Sequence, residues 1–386
     1  MRLLPDQDER DLAAALRGLL AAECPTTVAR QWKDAQAPSV PPTLWKALAA
    51  AGVLGLAVSE EYGGSGGGLT DLGVFYIEAG RALCPTVVHG TVQAGLAIQA
   101  LGSSAQRATW LPGLCDGTRT ATTSLWNPND ASVITPTLRA HRESDGGWRL
   151  DGNAEFVADA DAADHIVASA ADAETGRTMA FVVPLRTEGV RTEALSVMGG
   201  YRAFRAHFAD AAVTDERAAL GEVDDDALRR LANTAVALSS LDLVGVGEAA
   251  LARTVDYTKM RHQFGRPIAS FQAAQHLVAN MHIALSAARL AARSAVFWLG
   301  RGHVATRETA IARMHAASAA KLVTLDAHQL HGGMGFVVDT DLHLFSERAR
   351  VLSTIGGGAD VAATWLDEDE LEEDKLEEDG LEEDGS

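Results

Sequence analysis

Arg261-His262-Gln263-Phe264-Gly265-Arg266-Pro267-Ile268 and Gln329-Leu330-His331-Gly332-Gly333-Met334-Gly335-Phe336 decide how this chain is read, because both punctuate long helical patterns. Residues 226 to 259 predict one helix, 269 to about 298 a second, and roughly 304 to 331 a third. Each exceeds ordinary surface-helix length, so the three are expected to pack on one another as a bundle. The run Asp224-Asp225-Asp226 before Ala227-Leu228 marks the start, with acids at the positive end of the helix dipole. The Arg261 stretch then forms the corner between the first two helices, and the Gln329 stretch ends the third. A guanidinium at such a corner can meet a pyrophosphate through two parallel charge-assisted bonds, and Gly265 lets the backbone come close. The same stretch alone also reads as an ordinary helix-helix turn. Gly332 and Gly333 would leave backbone N–H groups open to an anion, while Gln329 can bond a polar ligand edge. Two such corners in one helical region say more than either one.

Outward from the bundle the texture changes twice. Residues 1 to 119 are read as an N-terminal all-alpha domain: Leu12, Leu16, Leu19 and Leu20 recur at helical spacing, and Leu44, Leu48 and Leu54 follow the Pro41-Pro42 start signal. Further helical tracts cover about 70 to 82 and 90 to 101. Gly63-Gly64-Ser65-Gly66-Gly67-Gly68 lacks the preceding strand and the lysine of a phosphate-binding loop, and reads as a surface loop. Residues 120 to 222 hold short apolar or alternating segments, such as Trp148-Arg149-Leu150, Phe156-Val157 and Met179 to Val183. Asp145-Gly146-Gly147 and Asp151-Gly152-Asn153 punctuate them, which predicts a middle antiparallel beta domain. Residues 223 to 366 complete the C-terminal helical bundle.

Composition removes several function classes. The net charge is −19, but residues 367 to 386 hold thirteen acids and one lysine, leaving −7 for the rest. That acidic tail is expected to be disordered, natural or engineered. The body offers no basic stripe for nucleic acid. Three widely spaced cysteines, Cys24, Cys84 and Cys115, suggest neither a disulfide framework nor a metal cluster, and fit a reducing cytoplasm. No export signal is recognised, and the apolar stretches are interrupted before they reach membrane-spanning length, so no membrane insertion is expected. His331 flanks two glycines and is a candidate site-lining group, whereas His303, His315, His328 and His343 read as packing or surface histidines.

Over about residues 5 to 365 the chain resembles the acyl-CoA dehydrogenase family. The closest matches are Arg261 to Ile268, Phe271-Gln272 and Gln329 to Phe336, in the family's order. The resemblance implies the acyl-CoA dehydrogenase fold, with a C-terminal four-helix bundle, and FAD as cofactor. Family members hold FAD extended, remove the alpha proton of an acyl-CoA with a Glu, and pass the beta hydride to the flavin. The family's ADP-binding residues fall on Arg261, Phe264, Gln329, Gly332 and Gly333.

The departures from the family are as informative. Its catalytic Glu, in a Tyr-Glu-Gly-Thr stretch, falls on Gly356 of Ile355-Gly356-Gly357-Gly358. Members that carry the Glu on the first long helix, about 26 residues before the Arg, would have it at Ala235, between Thr234 and Val236. Neither residue can abstract a proton, so no catalytic residue is assigned. The family's Thr-Glu-Pro-Gly-Ala-Gly-Ser-Asp loop is replaced by Leu125 to Ser132, and its Trp-Ile-Thr by Phe156-Val157-Ala158, which removes a hydroxyl. In the family each FAD lies across a subunit boundary, so a chain with only the ADP half can complete a partner's site. This pattern resembles the short subunits of heterotetrameric actinobacterial dehydrogenases acting on steroid side-chain CoA thioesters, in steroid catabolism and cholesterol degradation. It implies a second acyl-CoA dehydrogenase-like subunit that carries the catalytic Glu and binds most of the acyl-CoA. The alternatives are a homomeric enzyme with a non-standard base, Glu347 or Asp360 being nearest to the gap, and a non-catalytic homologue.

Overall fold

The computed structural model describes residues 4–34 and 40–367. All of the acidic tail except Asp367 lies outside the described residues. Six helices come first: α1 (Gln7–Glu23), α2 (Thr26–Asp34), α3 (Pro42–Ala50), α4 (Leu69–Ala82), α5 (Thr86–Leu101) and α6 (Ser104–Cys115). Asp6 caps α1 and exchanges bonds with Glu9, which satisfies two end donors and aims Leu16 and Leu20 into the core. Ser103 and Gln106 do the same for α6. Helices α2 and α6 had not been expected; α6 carries Pro112 in its interior, which weakens a helical reading.

Eight strands follow: β1 (Ala121–Ser124), β2 (Leu138–Arg142), β3 (Trp148–Ala158), β4 (His165–Asp172), β5 (Thr178–Pro184), β6 (Val190–Leu195), β7 (Ala203–Val213) and β8 (Ala219–Glu222). They form one sheet in the order β6-β7-β3-β2-β4-β5-β8, with β1 beside β4. The sheet is mixed, which corrects the antiparallel expectation: β1 and β2 both run parallel to β4. No hairpin joins either strand to β4, and alternation of apolar residues carries no strand direction. Asp151-Gly152-Asn153 is not a turn either. It lies inside β3, where the register against β7 shifts between Leu150 and Gly152. A bulge uses the same residue types as a turn.

The chain then returns to helices: α7 (Asp225–Met260), α8 (Gln272–Leu299), α9 (Thr306–His331) and α10 (Leu342–Leu352). They form the expected four-helix bundle, and residues 359 to 367 add a further helical segment. Between α7 and α8 a two-stranded ladder, β9 (His262–Gln263) with β10 (Arg266–Pro267), shapes the corner. By length and composition α7 could cross a membrane, contrary to the reading that no stretch qualifies. Its apolar window is 72% buried, because it is the central helix, packed against α4, α8, α9 and α10. Glycine allows the closest of these approaches. A Cβ at Gly80 would lie 2.1 Å from the carbonyl oxygen of Asp242, and one at Gly245 would lie 2.0 Å from that of Ile77. The α4–α7 crossing therefore holds Asp242 in fixed register.

Asp159, just past β3, is buried, and among the described residues its carboxyl has no hydrogen-bonding neighbour beyond the Thr86 hydroxyl. Burial pushes its carboxyl up to about 7, with the Thr86 hydroxyl opposing. The folded state therefore holds a proton that the unfolded chain has already released above its ordinary carboxyl pKa. Asp159 stabilises the folded state least once the pH passes about 7. Asp159→Asn should accordingly raise the denaturation midpoint more at pH 8 than at pH 5. Equal shifts at the two pH values would contradict a buried, protonated carboxyl.

Candidate functional site

The structure brings the two sequence corners together. Tyr257, one turn before Arg261 on α7, stacks on His331 at the end of α9, with ring centroids 4.3 Å apart. The Arg261 carbonyl accepts from Ile268 N–H at 2.9 Å, closing the corner. Arg261 is exposed and has no ion-pair or hydrogen-bond partner for its guanidinium among the described residues. Phe264 is 93% exposed and sits at φ 54°, a left-handed conformation that a bulky residue seldom takes. Gln329, Gly332 and Gly333 are exposed as well, and a Cβ built at either glycine would meet nothing within 4 Å. The result is a surface with a free cation, an amide and open backbone, suited to a phosphate-bearing ligand laid across it. His331 does not line it. It is buried, its Nδ1 faces the Ala327 carbonyl at 2.8 Å, and burial lowers its pKa, so it packs the corner.

A separate cleft of about 910 Å³, open at its mouth, lies between α4, α5, the sheet and α7. Ala235, Gly356, Ala158 and residues 122 to 126 all line it, so both candidate base positions face one cleft and both are bare. Gly356 has φ 74°, and a Cβ there would meet Val236 Cγ2 at 3.3 Å. A left-handed backbone costs a non-glycine residue about 1–2 kcal/mol, so the loop is built for glycine. Two carboxylates reach the lining, Asp242 and Glu155. Glu155 pairs with Arg205 at 2.6 Å and is exposed. Asp242 is held by Arg348 through Oδ2 at 2.7 Å and Oδ1 at 3.3 Å. The nearest alternative bases do not line the cleft: Glu347 pairs with Lys33 at 2.7 Å, and Asp360 is exposed.

The loop facing this cleft bonds most of its backbone donors within the chain. Asn129 N–H goes to Asn127 Oδ1 at 2.8 Å, and Ser132 N–H to Asp130 Oδ1 at 3.1 Å. Ala131 N–H goes to the Gly356 carbonyl at 3.0 Å, and Gly356 N–H to the Pro128 carbonyl at 2.6 Å. Trp365 Nε1–H also donates to Asp130 Oδ1 at 2.9 Å. From α9 the buried Arg313 donates to the carbonyls of Ile355 and Gly357, the latter at 2.7 Å. It has no carboxylate partner among the described residues, and burial pushes its guanidinium down to about 10. The glycine stretch is thus stapled to the 127–131 loop and to α9, and these backbone groups have none of the free hydrogen bonds a flavin ring would use.

Two family models match the chain: the acyl-CoA dehydrogenase N-terminal domain over residues 6–118 and the C-terminal domain over residues 227–368. The chain belongs to the acyl-CoA dehydrogenase family. Acyl-CoA dehydrogenase IpdE2 of Mycolicibacterium smegmatis is 29% identical over 309 residues, covering 80% of this chain and 81% of that one. The Tcur3481-Tcur3483 steroid ACAD, solved as a variant, is 29% identical with a TM-score of 0.84, covering 94% of this chain and 97% of the other. The ChsE4-ChsE5 complex from Mycobacterium tuberculosis is 25% identical with a TM-score of 0.86, covering 96% and 99%. Acyl-CoA dehydrogenases are FAD-dependent oxidoreductases, and FAD is the family's cofactor. Set against that cofactor, the exposed corners fit its ADP portion, whereas the self-bonded loop and the hydroxyl-free Ala158 fit its isoalloxazine poorly.

Sequence reading missed the floor of the cleft, where Tyr76, His89, Asp242 and Arg348 gather from α4, α5, α7 and α10. One signal was present. Asp242 is the lone charge between Arg230 and Glu248 in an otherwise apolar or small-residue run, and such a charge is buried only with a partner.

Proposed function

We propose that this chain is the FAD-sharing subunit of a heteromeric acyl-CoA dehydrogenase. It lends the ADP-binding half of the site to a second acyl-CoA dehydrogenase-like subunit, which supplies the catalytic Glu and the isoalloxazine loop. The observation that carries this reading is the asymmetry between the two regions. Arg261, Phe264, Gln329, Gly332 and Gly333 stand open, while the chain's own cleft has no unpaired carboxylate among the described residues and faces a loop whose N–H groups at Asn127, Asn129, Asp130, Ala131 and Ser132 are bonded within the chain. Phe264 adds support, since a left-handed, fully exposed aromatic side chain is costly unless a ligand or partner covers it. Exposed Met260, Met334, Phe336 and Val338 surround the same corners and suit a protein neighbour.

FAD, when bound across the two subunits, supplies the hydride acceptor for alpha,beta-desaturation of an acyl-CoA. Arg261 neutralises its phosphates, Gln329 orients the adenosine side, and Gly332 and Gly333 permit close backbone approach. The steroid activity named for one neighbour and the two-protein complex named for another favour a steroid side-chain CoA held mainly by the partner.

The test is to purify the chain alone and together with its partner subunit, and to measure flavin per chain and turnover. The complex should carry one flavin for every pair of chains, and the lone chain little flavin and no turnover. Ala235→Glu sharpens the test, because that position faces the cleft from a helix and takes a glutamate without backbone strain. A lone Ala235→Glu chain that fills with FAD and turns over would overturn the reading.

A further inference from the structure

Helices α1 and α4 end at a pair of thiols. Cys24 closes α1, and Cys84 follows α4 after the left-handed Leu83. About two turns earlier on each helix, Arg17 and Glu78 join through two bonds at 2.9 and 2.6 Å, so the helices reach their C-terminal ends together. There Cys24 Sγ donates to the Ala82 carbonyl at 3.6 Å, and the Cys84 thiol donates to the Cys24 sulfur. The backbone at both ends is fixed. Cys24 N–H goes to the Leu20 carbonyl and Cys84 N–H to the Ala79 carbonyl, each at 2.9 Å, while the Cys84 carbonyl accepts from Arg348 at 2.9 Å. Both cysteines are free and buried in one apolar cluster with Leu16, Leu20 and Val88. A disulfide needs side chains that already point at each other, or the backbone must move. These two meet that condition, which their wide spacing in the sequence did not show.

The two thiols are unequal. Cys24 lies in the α1–α2 turn, between half-buried Glu23 and exposed Pro25, whereas every residue from 83 to 90 is buried. A small opening of the turn therefore bares Cys24 first, with Cys84 beneath it. The bond from Cys84 holds the Cys24 pKa below the usual thiol value; burial opposes this, and the Arg348 charge reinforces it. The same bond, with burial, pushes the Cys84 thiol well up. The outer sulfur is thus the better nucleophile and the inner one sits poised behind it. Cys115 stands apart on α6, in a different apolar cluster, with burial pushing its thiol up to about 11.

We infer that Cys24 and Cys84 form a peroxide-sensitive modification site that closes into an intramolecular disulfide between the C-terminal ends of α1 and α4. The Cys24 thiolate attacks one peroxide oxygen, the O–O bond breaks, and the departing hydroxide takes up the proton that Cys24 released. That leaves water and a Cys24 sulfenic acid. Cys84 then attacks the Cys24 sulfur, the S–S bond forms as the S–O bond breaks, and hydroxide leaves with the Cys84 proton as a second water. Two thiols are oxidised to one disulfide while one peroxide is reduced to two waters. The bridge ties α1 covalently to α4, the helix that packs on α7. This inference does not rest on flavin sharing, since neither cysteine belongs to the ADP corners on α7 and α9.

The test treats the folded, full-length chain with hydrogen peroxide, quenches it in acid, then unfolds it and counts thiols by alkylation and mass. Of the three cysteines, two should be lost together and Cys115 kept. The digest should contain a Cys24–Cys84 cross-linked peptide, and a reductant should restore all three thiols. The denaturation midpoint should rise on oxidation and return on reduction, because the bridge restricts the unfolded chain. Cys84→Ser removes the second thiol, so Cys24 should stop at a sulfenic acid that dimedone traps. Cys24→Ser should leave Cys84 reduced. The thiol count of the unsubstituted chain decides the matter even where a variant fails to fold. Arg261→Ala should not change that count, which keeps failure here distinct from failure of flavin sharing. Three thiols retained at a dose that oxidises a short cysteine peptide, loss of Cys115 at the same rate, Cys24 oxidised without joining Cys84, or a bridge formed only after unfolding would each overturn the inference.

Discussion

Arg261→Ala is expected to empty the flavin sites of the assembled complex while leaving the turnover of each remaining flavin unchanged. The guanidinium is exposed and unpaired among the described residues, so removing it breaks no contact with them and should leave the fold intact. What it loses is a charge-assisted contact to phosphate, worth about 1.5–3 kcal/mol, which corresponds to FAD held about ten- to a hundredfold more weakly. Arg261 stands on the ADP side and moves no proton or hydride, so the defect belongs in occupancy and not in kcat per flavin. Arg261→Lys should recover part of the affinity, as a point charge without the planar fork. Arg266 is the internal control. It sits five residues away and is also exposed, but its guanidinium rests over the Phe271 ring at 4.0 Å. Arg266→Ala should therefore cost much less flavin. The measurement is flavin absorbance per complex across a titration with FAD, and full occupancy in Arg261→Ala would remove this residue from the cofactor site.

What could be read from the residues alone divides along a physical line. The long helices were legible because their periodicity is local, and α7, α8 and α9 begin and end within a few residues of the expected positions. Both corners were legible as helix boundaries because their glycines interrupt a helical pattern. The bare positions Ala235 and Gly356 were legible as absences, and the structure places them in one cleft. Strand direction was not legible, nor was the bulge at Gly152, because pairing partners are set by contacts far along the chain. The cleft floor was hidden for the same reason. Tyr76, His89, Asp242 and Arg348 come from four helices spread over more than 270 residues of sequence, and only packing makes them neighbours. The stapling of the 125–132 loop was hidden too, since Asp130 looks like an ordinary turn residue until its distant donor, Trp365 Nε1–H, is seen.

Arg348→Met is expected to be the most destabilising substitution at this floor, at about 3–5 kcal/mol, the range for removing one partner of a buried ion pair. Arg348 and Asp242 are 12% and 2% exposed as side chains, far from the surface regime in which such pairs contribute about 1 kcal/mol or less. The pair joins α10 to α7, and the third Arg348 bond fixes Cys84 between α4 and α5, so three helical segments meet on one guanidinium. Methionine preserves the aliphatic bulk but leaves Asp242 charged and uncompensated where the α4–α7 crossing gives it no room to withdraw. Asp242→Leu alone strands the opposite charge and should be damaging for the same reason. The double variant Asp242→Leu, Arg348→Met strands neither, and should regain most of the loss, because burying the pair cost desolvation that two apolar side chains avoid. Denaturant midpoints for the four proteins give the coupling between the two residues. A single-variant loss below about 1 kcal/mol, or a double variant as unstable as the sum of the singles, would mean that the floor is held by its apolar walls and not by this pair.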